Sequence, residues 1–447
     1  MVNRNSRRPS TNESPNSPAA RKAAMSQRLR VKAAEKGPEK KICLTMIVRN
    51  EAKNMVRLLD SVKSIIDMIS IVDTGSTDNT EEVIRNWGKE HQLPTTVHHE
   101  PFDSFSHNRT HSVKMAQETY PEADYLLLSD ADFLWEINVG GTFRKNLLID
   151  HEYKIEQYNK VIRYYNTRLL SAKVKWNCIG LTHEYWEEAE EFKGQVRKSE
   201  IRTLRINDLE DGGYKADKFI RDERLLRRGL AEDSRSHLQS RYTFYLAQTL
   251  RDVGRYPESI EYYTKRAEMG GWPEEVYYSM YQVGECHKRL VGIRKYTLEL
   301  LAKDELKENE QAFMDKWYEK DAPAAKLIQE RDHHFELAKQ WFLKAYEFRP
   351  SRAEALRYLV ELLRIESKHQ EAYELIQKGK LIPPTKDHLF VDIHAYTWAW
   401  DYEACIICYY LPAHKEEGAA ACERLLSRDD LPAHIHETVE RNSRHYL

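Results

Sequence analysis

The sequence predicts an α/β domain built on a parallel sheet, followed by an all-α domain of helical repeats. Two patterns predict this architecture. Up to Asp132, short apolar runs that end in polar clusters alternate with helical patterns, which is the β-α-β order of a parallel sheet with right-handed crossovers. After Gly213 the strand-like runs disappear, and amphipathic helical segments continue to the C-terminus. We therefore predict a tail at 1–39 and domains at 40–213 and 214–447.

Three apolar runs of the first domain end in polar clusters. Their polar ends are Arg49-Asn50-Glu51 after Lys41–Val48, Asp73-Thr74-Gly75-Ser76-Thr77-Asp78-Asn79-Thr80 after Ile69–Val72, and Asp130-Ala131-Asp132 after Leu126–Ser129. In open α/β sheets the ends of parallel strands meet at one edge, and ligands bind there. The three clusters therefore predict one shared site.

The acidic pair Asp130 and Asp132 indicates the chemistry of that site. Carboxylates are hard oxygen ligands for Mg²⁺ or Mn²⁺, and such ions usually bridge protein oxygens to the phosphates of a nucleotide. An isolated Asp-x-Asp is more often an ordinary acidic turn, so the two other strand ends decide the interpretation. Together the clusters predict a nucleotide and metal site.

These motifs, in this order, resemble those of the family 2 inverting glycosyltransferases, which have the Rossmann-like GT-A nucleotide-sugar fold. The resemblance continues through residues 105–110, 164–169, Trp176 and 180–186, and it is closest to the branch with appended tetratricopeptide (TPR) helices. It implies a metal-dependent enzyme that transfers a sugar from a nucleoside diphosphate, UDP first of all, to an acceptor nucleophile with inversion at the anomeric carbon.

The resemblance also implies roles at the nucleotide. Asp73 hydrogen-bonds the base, and Asp130 contacts the ribose or the metal-bound diphosphate. A guanidinium at Arg109 suits a base carbonyl or a diphosphate because it offers paired donors, although a plain charge on a surface helix is the alternative. The predicted nucleotide-binding residues are Arg49, Asn50, Glu51, Asp73, Arg109 and Asp130.

The metal, Mn²⁺ or Mg²⁺, is assigned by the same resemblance to Asp132 and Asp130, with His183 completing its shell. Its charge would balance the nucleoside diphosphate that leaves as the glycosidic bond breaks. Without the ion these carboxylates would repel the diphosphate, so we expect a chelator to abolish activity.

Glu184 is the first candidate for the general base that takes the proton of the acceptor. It neighbours His183, and the rings of the flanking Trp176 and Trp186 could form a platform for the acceptor and a wall that excludes water. Adjacent residues of a strand point to opposite faces, so His183 and Glu184 can share a site only on irregular backbone. The alternative bases are Asp211 and Glu136.

A second kind of periodicity appears in the helical region. Ala338 and Ala372 occupy equivalent positions 34 residues apart, which is the tetratricopeptide period. An earlier copy runs from Leu246 to Tyr263, with Arg266 where a small residue is expected. Residues 293–334 are rich in Lys, Glu and Asp, and we interpret them as a charged helical insertion. The repeats would dock a protein, peptide or glycan acceptor, or form a homodimer.

Composition and the lengths of the apolar runs limit the class of protein. The 447 residues suffice for two or three domains, and 69 Lys and Arg balance 71 Asp and Glu. No apolar run reaches membrane-spanning length, so we expect a cytoplasmic protein without a membrane span. Cys405 and Cys408 have redox or metal spacing, but their apolar surroundings favour helix core.

The N-terminal tail is basic, with eleven Lys or Arg against three Glu in residues 1–41. It is rich in Ser, Asn, Pro and Ala, which predicts a disordered, solvated segment. Attraction to nucleic acid or to an anionic membrane, and an organelle transit peptide, are its alternatives. Since nothing else in the chain supports nucleic-acid binding, we expect no such partner.

Two function classes remain besides the transferase. A scaffold could bind partners through the repeats while its GT-A domain is an inactive, nucleotide-holding remnant. A decayed enzyme would be expected to lack at least one of the candidate site residues, and all are present, which favours the enzyme. A nucleotidyltransferase is less favoured, because such enzymes usually have a Gly-rich basic signature after the first strand.

Overall fold

The computed structural model describes residues 25, 30, 32, 34–159, 163–212, 218–319, 322–387 and 389–446. The chain divides into two compact units, Met1–Lys218 and Phe219–Leu447. Most of the predicted tail lies outside the described residues, and so does the predicted domain boundary after Gly213.

The first unit is an α/β domain. Its strands are β1 (Ile42–Val48), β2 (Met68–Asp73), β3 (Thr95–His99), β4 (Tyr125–Leu128), β5 (Phe133–Ile137), β6 (Glu152–Tyr158), β7 (Arg163–Ser171), β8 (Trp176–Ile179), β9 (Tyr185–Glu188) and β10 (Lys198–Asp208). Its helices are α1 (Ala52–Val62), α2 (Thr80–Glu90) and α3 (Phe105–Thr119), with short 3-10 turns at Lys145–Leu147 and Glu190–Phe192.

One large sheet has the strand order β3-β2-β1-β4-β7-β6-β10-β5, and β8 and β9 form a separate hairpin. The strands β3, β2, β1 and β4 are parallel, with Val48 opposite Asp73 and Thr45 opposite Leu128. This part confirms the predicted parallel sheet. Beyond β4 the sheet is mixed, because β7 runs antiparallel to β4 and to β6.

Helices cover both faces of the sheet, so its carboxyl edge remains as the open side. The residues Met55 and Leu58 of α1 pack with Ile84 of α2 on one face. On the other face Val113 and Ala116 of α3 are fully or almost fully buried. The predicted apolar spacing of α1 is confirmed up to Val62, where the helix ends.

The second unit is all-α in the part that the structure describes. Its helices are α4 (Lys218–Glu232), α5 (Ser236–Asp252), α6 (Tyr256–Glu268), α7 (Pro273–Leu301), α8 (Glu308–Trp317), α9 (Ala324–Phe348), α10 (Glu354–Ile365), α11 (His369–Gly379), α12 (Ala399–Ile407), α13 (Lys415–Leu426) and α14 (Ala433–Ser443). Short 3-10 turns lie at Ile393–Tyr396, Cys408–Tyr410 and Pro412–His414. An α/β domain followed by an all-α domain is confirmed.

Neighbouring helices form hairpins with small residues at their contacts. Gly254, with φ +79°, turns the chain between α5 and α6. A Cβ atom on Gly284 of α7 would lie 2.7 Å from the ring of Phe342 on α9, so only glycine permits this close approach. The repeat positions Ala338 and Ala372 are fully buried. The predicted insertion at 293–334 comprises the end of α7, all of α8 and the first turns of α9.

Two expectations concern membranes and thiols. Among the helices described, none is long and apolar enough to cross a bilayer.

All six cysteines are buried free thiols. Cys405 lies in α12 and Cys408 in the turn that follows it, so the prediction of a core position is confirmed.

Arg266 replaces a small repeat residue because it makes a buried ion pair. Its Nε donates to Glu275 Oε2 at 3.0 Å, and its Nη1 donates to the carbonyl of Gly270 at 2.8 Å. The side chain is 1% exposed. The pair ties the end of α6 to the first turn of α7.

We expect Arg266→Ala to lower the free energy of unfolding by about 3–5 kcal/mol, because Glu275 would be left buried and unpaired. Urea denaturation measures this loss. The control Arg228→Ala removes the more exposed partner of Glu232 on α4 and should cost less than about 1 kcal/mol. Equal losses in the two variants would contradict the assignment.

A pair of histidines joins α7 to α9. His287 Nδ1 lies 3.0 Å from His334 Nδ1, and His287 is 5% exposed. Burial, followed by the charges that His334 and His333 acquire, lowers the pKa of His287 from 6.5 to about 4. The folded unit therefore holds this imidazole neutral.

The His287–His334 pair predicts that the folded protein loses stability as the pH falls. The unfolded chain, in which His287 titrates near 6.5, takes up the proton first as the pH falls. Stability is therefore fully present above pH 6.5 and is lost towards pH 4, by about 2 kcal/mol at pH 5. Urea midpoints at neutral pH and at pH 5 should show a smaller loss for His287→Gln than for the wild type and for the control His434→Gln, which changes an exposed histidine of α14. Identical losses in all three proteins would contradict this account.

Candidate active site

Hydrogen bonds join the polar cluster after β1 to the polar cluster after β2. Asn50, with φ +56°, donates its backbone N–H to Ser76 Oγ at 2.9 Å and accepts from the N–H of Thr77 at 2.7 Å through its Oδ1. The N–H of Glu51 donates to Thr80 Oγ1 at 2.8 Å. The convergence predicted for these two polar clusters is thereby confirmed. Arg49, which precedes them, is partly buried at the end of β1.

Asp73 shapes the turn that follows β2. Its Oδ1 accepts the N–H of Gly75 at 2.9 Å and that of Ser76 at 2.7 Å, and Gly75 adopts φ +109°. The side chain is almost fully buried. No hydrogen bond to its Oδ2 is found within the described part of the chain, so the loop is held through one of the two carboxylate oxygens.

Arg109 connects the third strand end to the loop that carries Glu184. It projects from α3, and its Nη2 donates to Asp130 Oδ1 at 2.6 Å while its Nε lies 2.7 Å from Glu184 Oε1. Burial lowers the pKa of Arg109, but the two carboxylates raise it more. The guanidinium is therefore a permanent positive charge shared by two acids.

Arg168 on β7 completes this cluster, and the sequence analysis did not assign it to the site. Its Nη1 donates to Asp130 Oδ2 at 3.2 Å and its Nη2 to Gln157 Oε1 at 2.8 Å, with the guanidinium 4.6 Å from the ring centre of Phe133. The sequence feature that could have assigned Arg168 to the site is its place in the 164–169 segment, as a charged residue beside apolar strand residues.

The two guanidinium groups set the charge state of Asp130. Burial raises the pKa of its carboxyl, but Arg109 and Arg168 together lower it below the ordinary value. Both carboxylate oxygens of Asp130 are thus paired with guanidinium groups. We call Asp130, Glu184, Arg109 and Arg168 the acid–arginine cluster.

The backbone at His183 and Glu184 is irregular, which is the condition under which both side chains could share a site. His183 has φ +52° and Gly180 has φ +103°, so the segment between β8 and β9 departs from a regular strand. Two bonds hold this hairpin to α3, from the N–H of Phe105 to the carbonyl of Leu181 at 3.1 Å and from the N–H of Cys178 to Thr110 Oγ1 at 2.9 Å. The loop thereby presents Glu184 to Arg109.

Trp176 requires a correction. It is 3% exposed and its indole N–H donates to the carbonyl of Ser171 at 2.9 Å, in the apolar core beside α3. It therefore stabilises the fold and offers no surface to an acceptor. Trp186 packs against the same core and is partly exposed.

The alternative bases, like Glu184, are engaged in ion pairs, Asp211 with Arg57 and Glu136 with Arg205. Asp211 accepts two bonds of 2.7 Å from Arg57, which, despite burial, lower the pKa of its carboxyl. Glu136 accepts the phenol of Tyr158 at 2.6 Å. Glu184 alone of the three pairs with an arginine that also holds Asp130.

Asp132 lies on another side of the turn from Asp130. A Cβ atom on Gly212 would lie 3.1 Å from Asp132 Oδ2 and 3.3 Å from Glu51 Oε1, so these two carboxylates flank one glycine. Asn54 Nδ2 donates both to Glu51 Oε2 at 2.9 Å and to the carbonyl of Asp211 at 3.3 Å. This network joins the first and third strand ends.

The residues predicted to hold a metal are not gathered into one cage. Within the described ranges, no group of three His, Cys, Asp or Glu side chains is arranged to hold an ion. Asp132 nevertheless fits the way in which Mg²⁺ and Mn²⁺ bind nucleotides, through one or two carboxylates completed by substrate phosphates. The assignment of His183 and Asp130 to such a shell stays a prediction.

Part of the first unit is similar to a known protein family. The sequence model of Glycosyl transferase family 2 matches residues 43–140. The matched segment runs from β1 past β5 and includes Asp73, Arg109, Asp130 and Asp132, which confirms the predicted resemblance there. His183 and Glu184 lie beyond it.

Other similarities are more limited. A 91-residue segment is 34% identical to a TPR repeat-containing protein of Synechococcus elongatus and covers 20% of each chain, so the chain spans about a fifth of that relative. The crystal structure of S. aureus TarS has 13% identity and a TM-score of 0.30, covering 56% of this chain and 52% of TarS. A tetratricopeptide repeat protein from Parabacteroides merdae has 12% identity and a TM-score of 0.21, covering 51% and 92%.

The two acids of the Asp-x-Asp motif should differ in how much stability their neutralisation costs. Asp130→Asn removes the charge shared by Arg109 and Arg168, so we expect a loss of about 1–3 kcal/mol in unfolding free energy. Asp132→Asn removes a charge interaction with the partly exposed Arg57 and should cost less than about 1 kcal/mol. Thermal denaturation without nucleotide or metal measures both changes. A larger loss for Asp132→Asn would contradict the placement of the two acids.

Proposed function

We propose that this chain is a metal-dependent glycosyltransferase that moves a sugar from a nucleoside diphosphate donor to an acceptor nucleophile with inversion. The observation that carries the proposal is Arg109, which holds Glu184 beside Asp130 in a family 2 domain. This contact brings a candidate base to the strand edge where the nucleotide is expected. The sequence resemblance makes UDP the first nucleotide to test.

The turn after β2 is proposed to hold the nucleoside. Asp73 Oδ2 would accept a base N–H while Oδ1 keeps the loop in shape. Arg49, Asn50 and Glu51 flank this turn, and the bonds of Asn50 and Glu51 to it keep the pocket rigid before the donor arrives. Preorganisation of this kind lowers the ordering cost of binding.

The local charges support a requirement for a cation. In the acid–arginine cluster the two carboxylates balance the two guanidinium groups, so the cluster has no net positive charge to offer a dianionic diphosphate. Asp132 and Glu51 add two carboxylates at the same edge, and Arg57 interacts with both of them. Asp132, with His183, would hold Mn²⁺ or Mg²⁺, and the ion would supply positive charge to the leaving diphosphate.

Glu184 is proposed as the general base. Its Oε1 is held by Arg109, so its second oxygen would be directed at the acceptor hydroxyl or thiol. Glu184 takes the proton as the acceptor atom forms its bond to the anomeric carbon. The bond from that carbon to the diphosphate oxygen breaks on the opposite side, and its electron pair leaves with the diphosphate. Inversion follows from this single displacement.

The helical domain is proposed to dock the acceptor or a second copy of the chain. Its buried small residues serve packing, which leaves the outer helix surfaces for partners. The buried free thiols agree with a reducing compartment, and we propose the cytoplasm.

The test is release of nucleoside diphosphate from a panel of nucleotide sugars, with Mn²⁺ and with chelator. We expect release from one donor, its loss in chelator and in Asp132→Ala, and a fall in acceptor-stimulated release of about 100-fold or more in Glu184→Gln. The control Glu190→Gln changes an exposed acid of the same segment and should remain active.

Each negative result has a separate meaning. Release that persists in chelator would contradict the metal requirement. Full activity of Glu184→Gln would reassign the base. Absence of release from every donor, with or without candidate acceptors, together with intact nucleotide binding in calorimetry, would favour the scaffold.

A further inference from the structure

The helical unit contains an open groove of about 650 Å³, within the range of roughly 300–1,000 Å³ that is typical of ligand sites. Its walls are the α5–α6 turn, one face of α7 from Lys288 to Tyr296, the end of α8 and the end of α10. That face of α7 is about 12 Å long at 1.5 Å per residue. The shape is that of a groove between helices, as in proteins that bind peptides.

The charged insertion forms one wall of this groove. Phe313 of α8 packs edge-on against Tyr296 of α7, with ring centres 4.8 Å apart. Trp317 stacks on Tyr256 at 5.8 Å, and its carbonyl accepts a 3.0 Å bond from Arg294 Nη1. These contacts give α8 a fixed position and line the groove with aromatic rings.

Open space lies above Gly292 in the middle of the groove. A Cβ atom there would meet no other atom within 4 Å, although glycine within a helix costs about 1 kcal/mol relative to alanine. Ile293 and Tyr296 flank this position. An apolar side chain from outside could therefore occupy the space without moving the helix.

The groove has a small excess of positive charge. Lys288 Nζ pairs with both Glu285 at 3.0 Å and Glu361 at 3.2 Å, and Asp252 of the groove wall pairs with Arg251 at 2.7 Å. Arg289 and Lys316 also line the groove, and neither has an acidic partner in the part of the chain described. Lys316 Nζ lies 5.0 Å from the ring centre of Trp317. With these pairs included, the groove has aromatic walls and a single net positive charge.

We propose that this groove binds an acidic peptide segment of a protein partner. An apolar side chain of the peptide fills the space above Gly292, and carboxylates on either side pair with Arg289 and Lys316. The complementarity of charge favours an acidic partner over a basic one, and the open face of about 12 Å accommodates an extended segment of roughly three to four residues. The proposal does not depend on sugar transfer.

The test uses the full chain and a fluorescein-labelled peptide of glutamates with one central phenylalanine. Two matched peptides replace the glutamates by lysine or the phenylalanine by alanine. Fluorescence anisotropy should show the acidic phenylalanine peptide binding at least about tenfold more tightly than either. Affinity should also fall as salt is raised, because the pairing charges lie in an open groove.

Substitutions in the groove test whether the peptide binds there. Gly292→Trp fills the open space, and Arg289→Glu with Lys316→Glu reverses both cations, so each should weaken binding by about tenfold or more. Gly292→Ala and Arg331→Glu, which changes a partly exposed residue of α9 outside the groove, should bind as the wild type does, and circular dichroism checks folding. None of these changes should alter nucleotide release, which separates this proposal from the enzymatic one.

Three results would overturn the proposal. They are absence of measurable binding, equal binding of the acidic and basic peptides, and binding that Gly292→Trp leaves unchanged. Displacement of the peptide by UDP alone, at a site lost in the Gly292→Trp variant, would also overturn it by assigning the groove to a nucleotide.

Discussion

The ion pairs of Arg109 are the contacts on which the site depends. This one guanidinium holds Asp130, at the end of β4, and Glu184, in the loop between β8 and β9. Its helix α3 is itself bonded to that loop through Phe105 and Thr110. The position of the candidate base is therefore set by a helix packed on the sheet, although the base lies on irregular backbone. A rigid support of this kind is what an acid–base group requires.

The two aspartates of the Asp-x-Asp motif serve different purposes although one residue separates them. Asp130 is surrounded by two arginines, and its charge is neutralised within the protein. Asp132 lies beside Glu51 and Gly212, and Arg57 interacts with both of these carboxylates. The turn between β4 and β5 thus separates a carboxylate that is held by two arginines from the carboxylate to which the proposal assigns the cation.

The parts of the structure that the sequence could predict are those with local patterns. The strands that end at Val48, at Asp73 and before Asp130 have continuous apolar runs with polar ends, and the repeat helices have small residues at a fixed period. The mixed half of the sheet was not predicted, because β6 and β10 are rich in charged residues and contain no continuous apolar run. Arg168 and the burial of Trp176 depend on pairings between strands distant in sequence. Arg266 departed from the repeat pattern because its partner, Glu275, lies in the next helix.

The measurement that tests the central claim most directly is calorimetric titration of UDP with and without Mn²⁺. It should be made on the wild type, on Asp130→Asn and on Asp132→Asn. The account predicts that Mn²⁺ strengthens binding to the wild type, that Asp132→Asn removes this effect, and that Asp130→Asn binds more weakly but keeps it. Loss of the Mn²⁺ effect in Asp130→Asn, with its retention in Asp132→Asn, would contradict the separation of roles described above.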